Sequence, residues 1–214
     1  MFAFAITLLA LTIRIPHPTD ADADSGLLTL LTQQWRSYLV YVLSFFVVGI
    51  NWANHRVMFS NFARSDHVLV WLNMLFLMIG VAFMPIPTAV LGEWLGNPDN
   101  QVTAALFYGG VATLGGLAYN LVWWYGAYVA RLTVPGLSTR ERHAHTVAWA
   151  PAPFLVAALT ALALVNTTLA VVGVVIVEAL YILPTPRLIS LLKRRRARAV
   201  LAQEEVLEPP SGNP

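Results

Sequence analysis

Apolar residues fall in long blocks separated by short polar stretches. Six blocks can be read: Met1 to Ile15, about Trp35 to Ala53, about Val68 to Leu91, about Val102 to Ala130, about Thr146 to Val165, and about Leu169 to Leu192. Most approach the ~20 residues a helix needs to cross a bilayer. None alternates with the period of a barrel strand, and a backbone in lipid must satisfy its own hydrogen bonds. The pattern predicts an all-α, polytopic membrane protein with six transmembrane helices. The first block is the short one. A helix over Met1 to Ile15 rises about 22 Å, against a hydrocarbon core of about 30 Å. It falls short of a span unless residues upstream of Met1 belong to it.

Interruptions refine this picture. Pro85 and Pro87 come late in the third block and predict a kink or a helix end. Gly109, Gly110, Ala112, Gly115 and Gly116 crowd the fourth, where small residues let helices pack closely. In the first block Phe4, Leu8 and Leu11 recur at i, i+4 and i+7, with Thr7 beside them. That spacing is one face of a helix, and by itself it says no more.

Charge sets the orientation. Asp20, Asp22 and Asp24 lie in a stretch without Lys or Arg, whereas Arg56 and Arg64, then Arg131, Arg140 and Arg142, occupy alternate connections. Lys193, Arg194, Arg195, Arg196 and Arg198 follow the last block. The positive-inside rule then places both termini in the cytoplasm, with Arg14 and Arg36 as exceptions at the outer side. The mean hydropathy of +0.65, with 57% hydrophobic and 11% charged residues, excludes the soluble globular class. The pI near 9.2 does not point to nucleic acid, because the basic residues sit at helix ends and in one tail. The first block does not read as a cleaved signal peptide, since Arg14 follows the apolar run instead of preceding it. Most of the Trp residues fall near block ends, as an interfacial aromatic belt requires.

Candidate chemistry is sparse. There is no Cys, hence no disulfide framework and no thiol nucleophile. His143 and His145 form an HxH in an expected cytoplasmic loop with no third metal ligand evident, so no metal or cofactor is expected. Glu178 lies inside the sixth block. It is either a functional intramembrane acid or the partner of a polar neighbour in the bundle, and the residues alone leave both open. No HExxH, GxSxG or phosphate loop occurs, which leaves enzyme chemistry without support. No TVGYG-like carbonyl filter occurs either.

The string Phe2-Ala3-Phe4-Ala5-Ile6-Thr7-Leu8-Leu9-Ala10-Leu11, ending Ile13-Arg14-Ile15-Pro16, resembles the first helix of the transmembrane protein 175 family of potassium channels in its prokaryotic form. Ser44-Phe45 with Trp52-Ala53-Asn54-His55 resembles the second helix. Trp71 to Leu77 with Phe83-Met84-Pro85-Ile86-Pro87-Thr88 resembles the third. The resemblance covers Met1 to Leu192. It implies six helices per subunit, assembly as a homotetramer, and a central pore lined by the first helices. Carried over by position, it makes Phe4, Leu8 and Leu11 the apolar constriction and Thr7 a hydroxyl ring. Phe4 departs from the aliphatic residue usual at the tightest point. It also makes Trp52, His55 and Asn73 the support network of the pore helix. The family's Arg and Phe-Ser-Asp signature would fall upstream of Met1, so the expectation is that the true start lies upstream and that an internal GTG codon was read as the start.

The resemblance thus implies a potassium-selective, leak-like channel in the plasma membrane. Residues 1–192 would form its transmembrane channel domain, and residues 193–214 a basic, then polar and disordered, cytoplasmic tail. Potassium would be the permeant ion, with the bilayer and sister subunits as partners. Two other readings carry their own discriminators. A proton-coupled secondary transporter would show saturable uptake that Glu178→Gln abolishes. A non-transporting scaffold, its basic tail on anionic lipid, would show no flux.

Overall fold

A computed structural model describes residues 2–11, 13–17 and 26–180 of the chain. Among them every regular element is a helix: α1 Phe2–Ala10, α2 Leu27–Gln33, α3 Trp35–Phe59, α4 His67–Leu77, α5 Pro85–Trp94, α6 Gln101–Trp124, α7 Thr139–Trp149, α8 Pro151–Leu162 and α9 Thr167–Leu180. Wide π turns lengthen two of them, Met78–Ala82 between α4 and α5 and Tyr125–Val129 at the end of α6. The resulting runs Trp35–Phe59, His67–Trp94, Gln101–Val129 and Thr139–Leu162 are four helices long and apolar enough to cross a membrane. The apolar helix Thr167–Glu178 is shorter. The aspartates at 20, 22 and 24 and the basic tail lie outside the described residues.

Several boundaries move, each for a local reason. The first helix ends at Ala10 instead of Ile15. β-branched Ile13 and Ile15 and then Pro16 follow it, and proline disfavours helix at the residue before it. The second extends past Ala53 to Phe59, so Arg56 sits in its last turn and not in a loop. The third starts at His67 behind Asp66, whose Oδ1 accepts the Leu69 N–H at 2.8 Å. That amide foremost, together with the Tyr125 hydroxyl at 2.8 Å on Oδ2, holds the Asp66 carboxyl below its ordinary value.

The fifth helix starts at Thr139, seven residues earlier than expected. Ser138 and Glu141 form a reciprocal capping box there. His143 and His145 are therefore helical and not in a loop. Two residues apart on a helix they face different ways. His143 is exposed, and His145 is buried, stacked 4.8 Å from Trp149. Pro85 and Pro151 each open a helix at a position where the missing N–H costs nothing.

α6 is the axis of the bundle, and packs against α4, α5, α8 and α9. Its small residues allow this. A Cβ on Gly115 would lie 2.6 Å from the Gly80 Cα of the π turn, and one on Gly116 would lie 3.1 Å from the Pro153 Cβ. In lipid, where apolar surface gains little by leaving the solvent, such close contact is what holds helices together. One core forms around Met58, Leu69, Phe76, Val122 and Trp123, another around Val40, Met84, Leu91 and Tyr108. Trp123 and Trp149 belong to the first, edge to face at 5.1 Å, so these two are core and not belt. Trp35, Trp52, Trp71, Trp94 and Trp124 are exposed.

The α3–α4 and α6–α7 connections clasp each other at one end of the bundle. The Ala63 N–H donates to the Leu132 carbonyl and the Val134 N–H to the Asn61 carbonyl, both at 2.9 Å. Between them lies an isolated antiparallel bridge, Phe62 to Thr133. Because successive long helices run antiparallel, Arg56, Arg64, Arg131 and Arg140 all gather at this end.

Candidate pore helix and its support

α1 has two unlike sides. Ala5 and Leu9, one turn apart, are both 0% exposed, and Phe2 and Ile6 pack beside them against the first core. This seam docks α1 on α3, on the π turn of residues 78–82 and on α5. Ala3, Thr7 and Ala10 are exposed, and Leu8 is half-buried between the two sides. Leu11, in the turn that ends the helix, is 79% exposed. Of the residues expected to line a pore, Thr7, Leu8 and Leu11 thus lie off the packed seam. The side chain of Phe4 lies outside the described residues.

Thr7 donates its hydroxyl proton to the Ala3 carbonyl one turn back, at 2.6 Å. That bond leaves its oxygen as an acceptor, the polarity a cation needs.

The base of α1 rests on an aromatic shelf. The Phe2 ring lies 5.4 Å from His55 and 6.4 Å from Phe76. His55 in turn stacks on Phe59 at 4.4 Å and on Phe76 at 5.7 Å. Its Nε2 meets Asn73 Oδ1 at 2.7 Å, tying α3 to α4 directly beneath α1. Of the three residues that the resemblance makes the support network, His55 and Asn73 meet each other here. Trp52 is not with them: its ring is half exposed and makes no hydrogen bond or ring contact among the described residues. Phe59 and Phe76 were not singled out in the sequence. Their only signal is helical spacing, Phe59 four residues after His55 and Phe76 three after Asn73, which any apolar helix shows.

A second polar cluster bridges α3, α5 and α6 in the other core. Thr88 Oγ1 lies 2.8 Å from Ser44 Oγ, which lies 3.4 Å from Tyr108 Oη. Glu178 of α9 stands near this cluster, at the boundary between two cavities. Among the described residues no group of three or more His, Cys, Asp or Glu could hold a metal ion.

Long apolar helices around a glycine-rich axis, with a short helix packed on one side only, define a polytopic α-helical membrane protein. Comparison with known proteins narrows this. The model of the family described as the endosomal/lysosomal potassium channel TMEM175 matches residues 1–85. A potassium channel of Streptomyces collinus is 41% identical over 150 residues, 70% of this chain and 71% of that one. A potassium channel of Chamaesiphon minutus is 36% identical over 181 residues, 85% of this chain and 87% of that one. The crystal structure of a lysosomal potassium-selective channel TMEM175 homolog from Chamaesiphon minutus superposes with a TM-score of 0.76 at 32% identity, covering 86% of this chain and 92% of that one. The chain belongs to the TMEM175 family, a family of ion channels and not of enzymes.

Proposed function

We propose that this chain is the subunit of a passive, potassium-selective channel, in which α1 of each copy faces a shared axis. Family membership carries the potassium assignment. The division of α1 into a packed seam and a free side supports the geometry, because a helix in a lone subunit keeps such a side only where something outside that subunit meets it. Four copies around an axis would bring Leu8 and Leu11 together as an apolar constriction, with Phe4 on the same helix and Thr7 adding a ring of hydroxyl oxygens. An apolar ring opposes a hydrated ion until the pore wets, so conductance depends steeply on polarity there. His55 and Asn73 hold the floor on which the pore helix stands, and Trp52, on the same helix as His55, stands apart from it. Residues 1–192 form the channel domain with six spans, α1 and the segment from α9 onward included, and residues 193–214 form the cytoplasmic tail. Arginines at one end of the bundle support cytoplasmic termini in a plasma membrane.

Liposome efflux tests this reading. The purified chain should release potassium down its gradient faster than sodium, without saturation. Leu8→Asn should raise the flux and Thr7→Val should lower the preference for potassium. Flux unchanged by both variants would remove α1 from the pore. Saturable uptake abolished by Glu178→Gln would favour a transporter instead, and absence of any flux a scaffold.

A further inference from the structure

The bundle holds two cavities beside Glu178. The larger, about 230 Å³, is walled by aliphatic side chains of α3, α6 and α9. The smaller, about 60 Å³, is different in kind. It lies among α3, the π turn of residues 78–82, α6, α8 and α9, and its lining includes Asn51, Asn54, Gly80, Tyr119, Asn120 and Glu178. Among the described residues, none of α1 and no Lys, Arg or His lines it. Its volume accommodates a few water-sized groups.

Several of these lining residues keep a side-chain oxygen that no hydrogen bond occupies. Asn120 spends its amide group as a donor to the Gly116 and Trp149 carbonyls, at 2.9 and 3.2 Å, which leaves Oδ1 as its remaining polar atom. Asn51 likewise turns its amide nitrogen to the Gly80 carbonyl at 3.5 Å. Asn54 and Glu178 make no hydrogen bond among the described residues. The Tyr119 hydroxyl is buried and has no hydrogen-bond partner among the described residues. A carboxylate and three amide side chains at one place in an apolar bundle are costly unless something satisfies them. Each of these side chains can offer a hard oxygen, and Glu178 is the one acidic group among them. Oxygen donors suit hard cations, and a low ligand charge suits a monovalent ion over a divalent one.

We propose that this cavity binds a partly hydrated alkali cation, potassium or sodium, inside each subunit and apart from the central pore. Glu178 supplies the charge, the asparagine amides and the Tyr119 hydroxyl supply neutral oxygens, and the occupied site ties α9 to α3 and α6. The site stabilises the subunit and does not conduct.

Thermal unfolding of the purified full chain, followed by its own tryptophan fluorescence at constant ionic strength, tests this. Choline chloride is replaced stepwise by potassium or sodium chloride. Above the dissociation constant each tenfold rise in cation should raise Tm by about 3–6 °C. Glu178→Gln should flatten that dependence. Tyr119→Phe, which keeps the ring, should move it several-fold to higher concentration. Thr7→Val, which alters the expected pore, should leave it in place. A flat wild-type curve would mean a protonated acid among waters and would overturn the proposal. So would a dependence that Thr7→Val abolishes and Glu178→Gln does not, since the ion would then sit in the pore. Should Glu178→Gln fail to fold, an unchanged midpoint in Tyr119→Phe would overturn it as well. Potassium efflux reads the pore separately, so this site and the channel reading can fail independently.

Discussion

α6 and α1 are both apolar helices, yet they are built for opposite purposes. α6 is 24 residues long, packs against α4, α5, α8 and α9 and buries ten of its residues, with glycine where another backbone comes closest. α1 has nine residues, a seam of two fully buried side chains and an outer side of small or hydroxyl-bearing residues. The contrast separates what holds the subunit together from what the subunit offers to others. A helix whose small residues receive its neighbours, as Gly109, Gly115 and Gly116 do, is an axis of packing. One whose small residues stay uncovered is a surface, and in lipid a surface carrying Thr7 calls for another protein face or for water.

The sharpest way to break this contrast is to crowd the axis. Gly115→Leu would drive a side chain into the Gly80 backbone, which cannot turn aside as a side chain can. Overpacking of a soft core costs up to about 3 kcal/mol. With backbone as the obstacle we expect more, read as loss of monodisperse protein on size exclusion. Next comes the seam of α1. Leu9→Ala removes a fully buried side chain and should cost about 3 kcal/mol, with a lower Tm and loss of the pore helix from its seat. Equal stability of Leu9→Ala and wild type would mean that α1 is not docked as described.

Polarity on the free side should leave Tm alone and change flux. Leu8→Asn is expected to raise potassium efflux about tenfold, the effect of lowering a barrier by about 1.4 kcal/mol. A fall in Tm without a rise in flux would put Leu8 on the packed side. Beneath α1, Asn73→Ala leaves the His55 ring short of its partner and should cost about 1 kcal/mol, while the neighbouring Trp52→Ala, with no ring contact to lose, should cost less.

The smallest effect is a matter of pH. The Leu69 amide holds the Asp66 carboxyl below its ordinary value, so the folded state binds that proton less readily than the unfolded one. Its contribution is present at neutral pH and is lost as pH falls through the lowered value. Tm curves of wild type and Asp66→Asn should therefore separate at neutral pH and converge below about pH 4. Curves that stay parallel down to pH 3 would assign the cap no ionic component.

Much of this was legible before any coordinates. The all-helical membrane class follows from apolar blocks too long and too regular for anything else, and the family resemblance singled out His55 and Asn73, though not their contact with each other. The helix start at Ser138 and Glu141 was missed, because the polar residues Arg140, Arg142 and His143 around it read as loop. Two features were not legible. Burial of Trp123 and Trp149 cannot be told from belt positions, because a tryptophan near a helix end suits both. The gathering of Asn51, Asn54, Tyr119, Asn120 and Glu178 around one cavity draws on three helices far apart in sequence.

By itself, the sequence determined that this chain lives in a bilayer and that its helices would be held by small residues. Those properties depend on composition and on local spacing, which the chain carries everywhere along its length. The tertiary structure alone decided which side of α1 is packed and which polar groups share a cavity. Both depend on how helices distant in sequence rotate against one another, and in an apolar bundle nearly every rotation looks the same to a hydrophobic pattern.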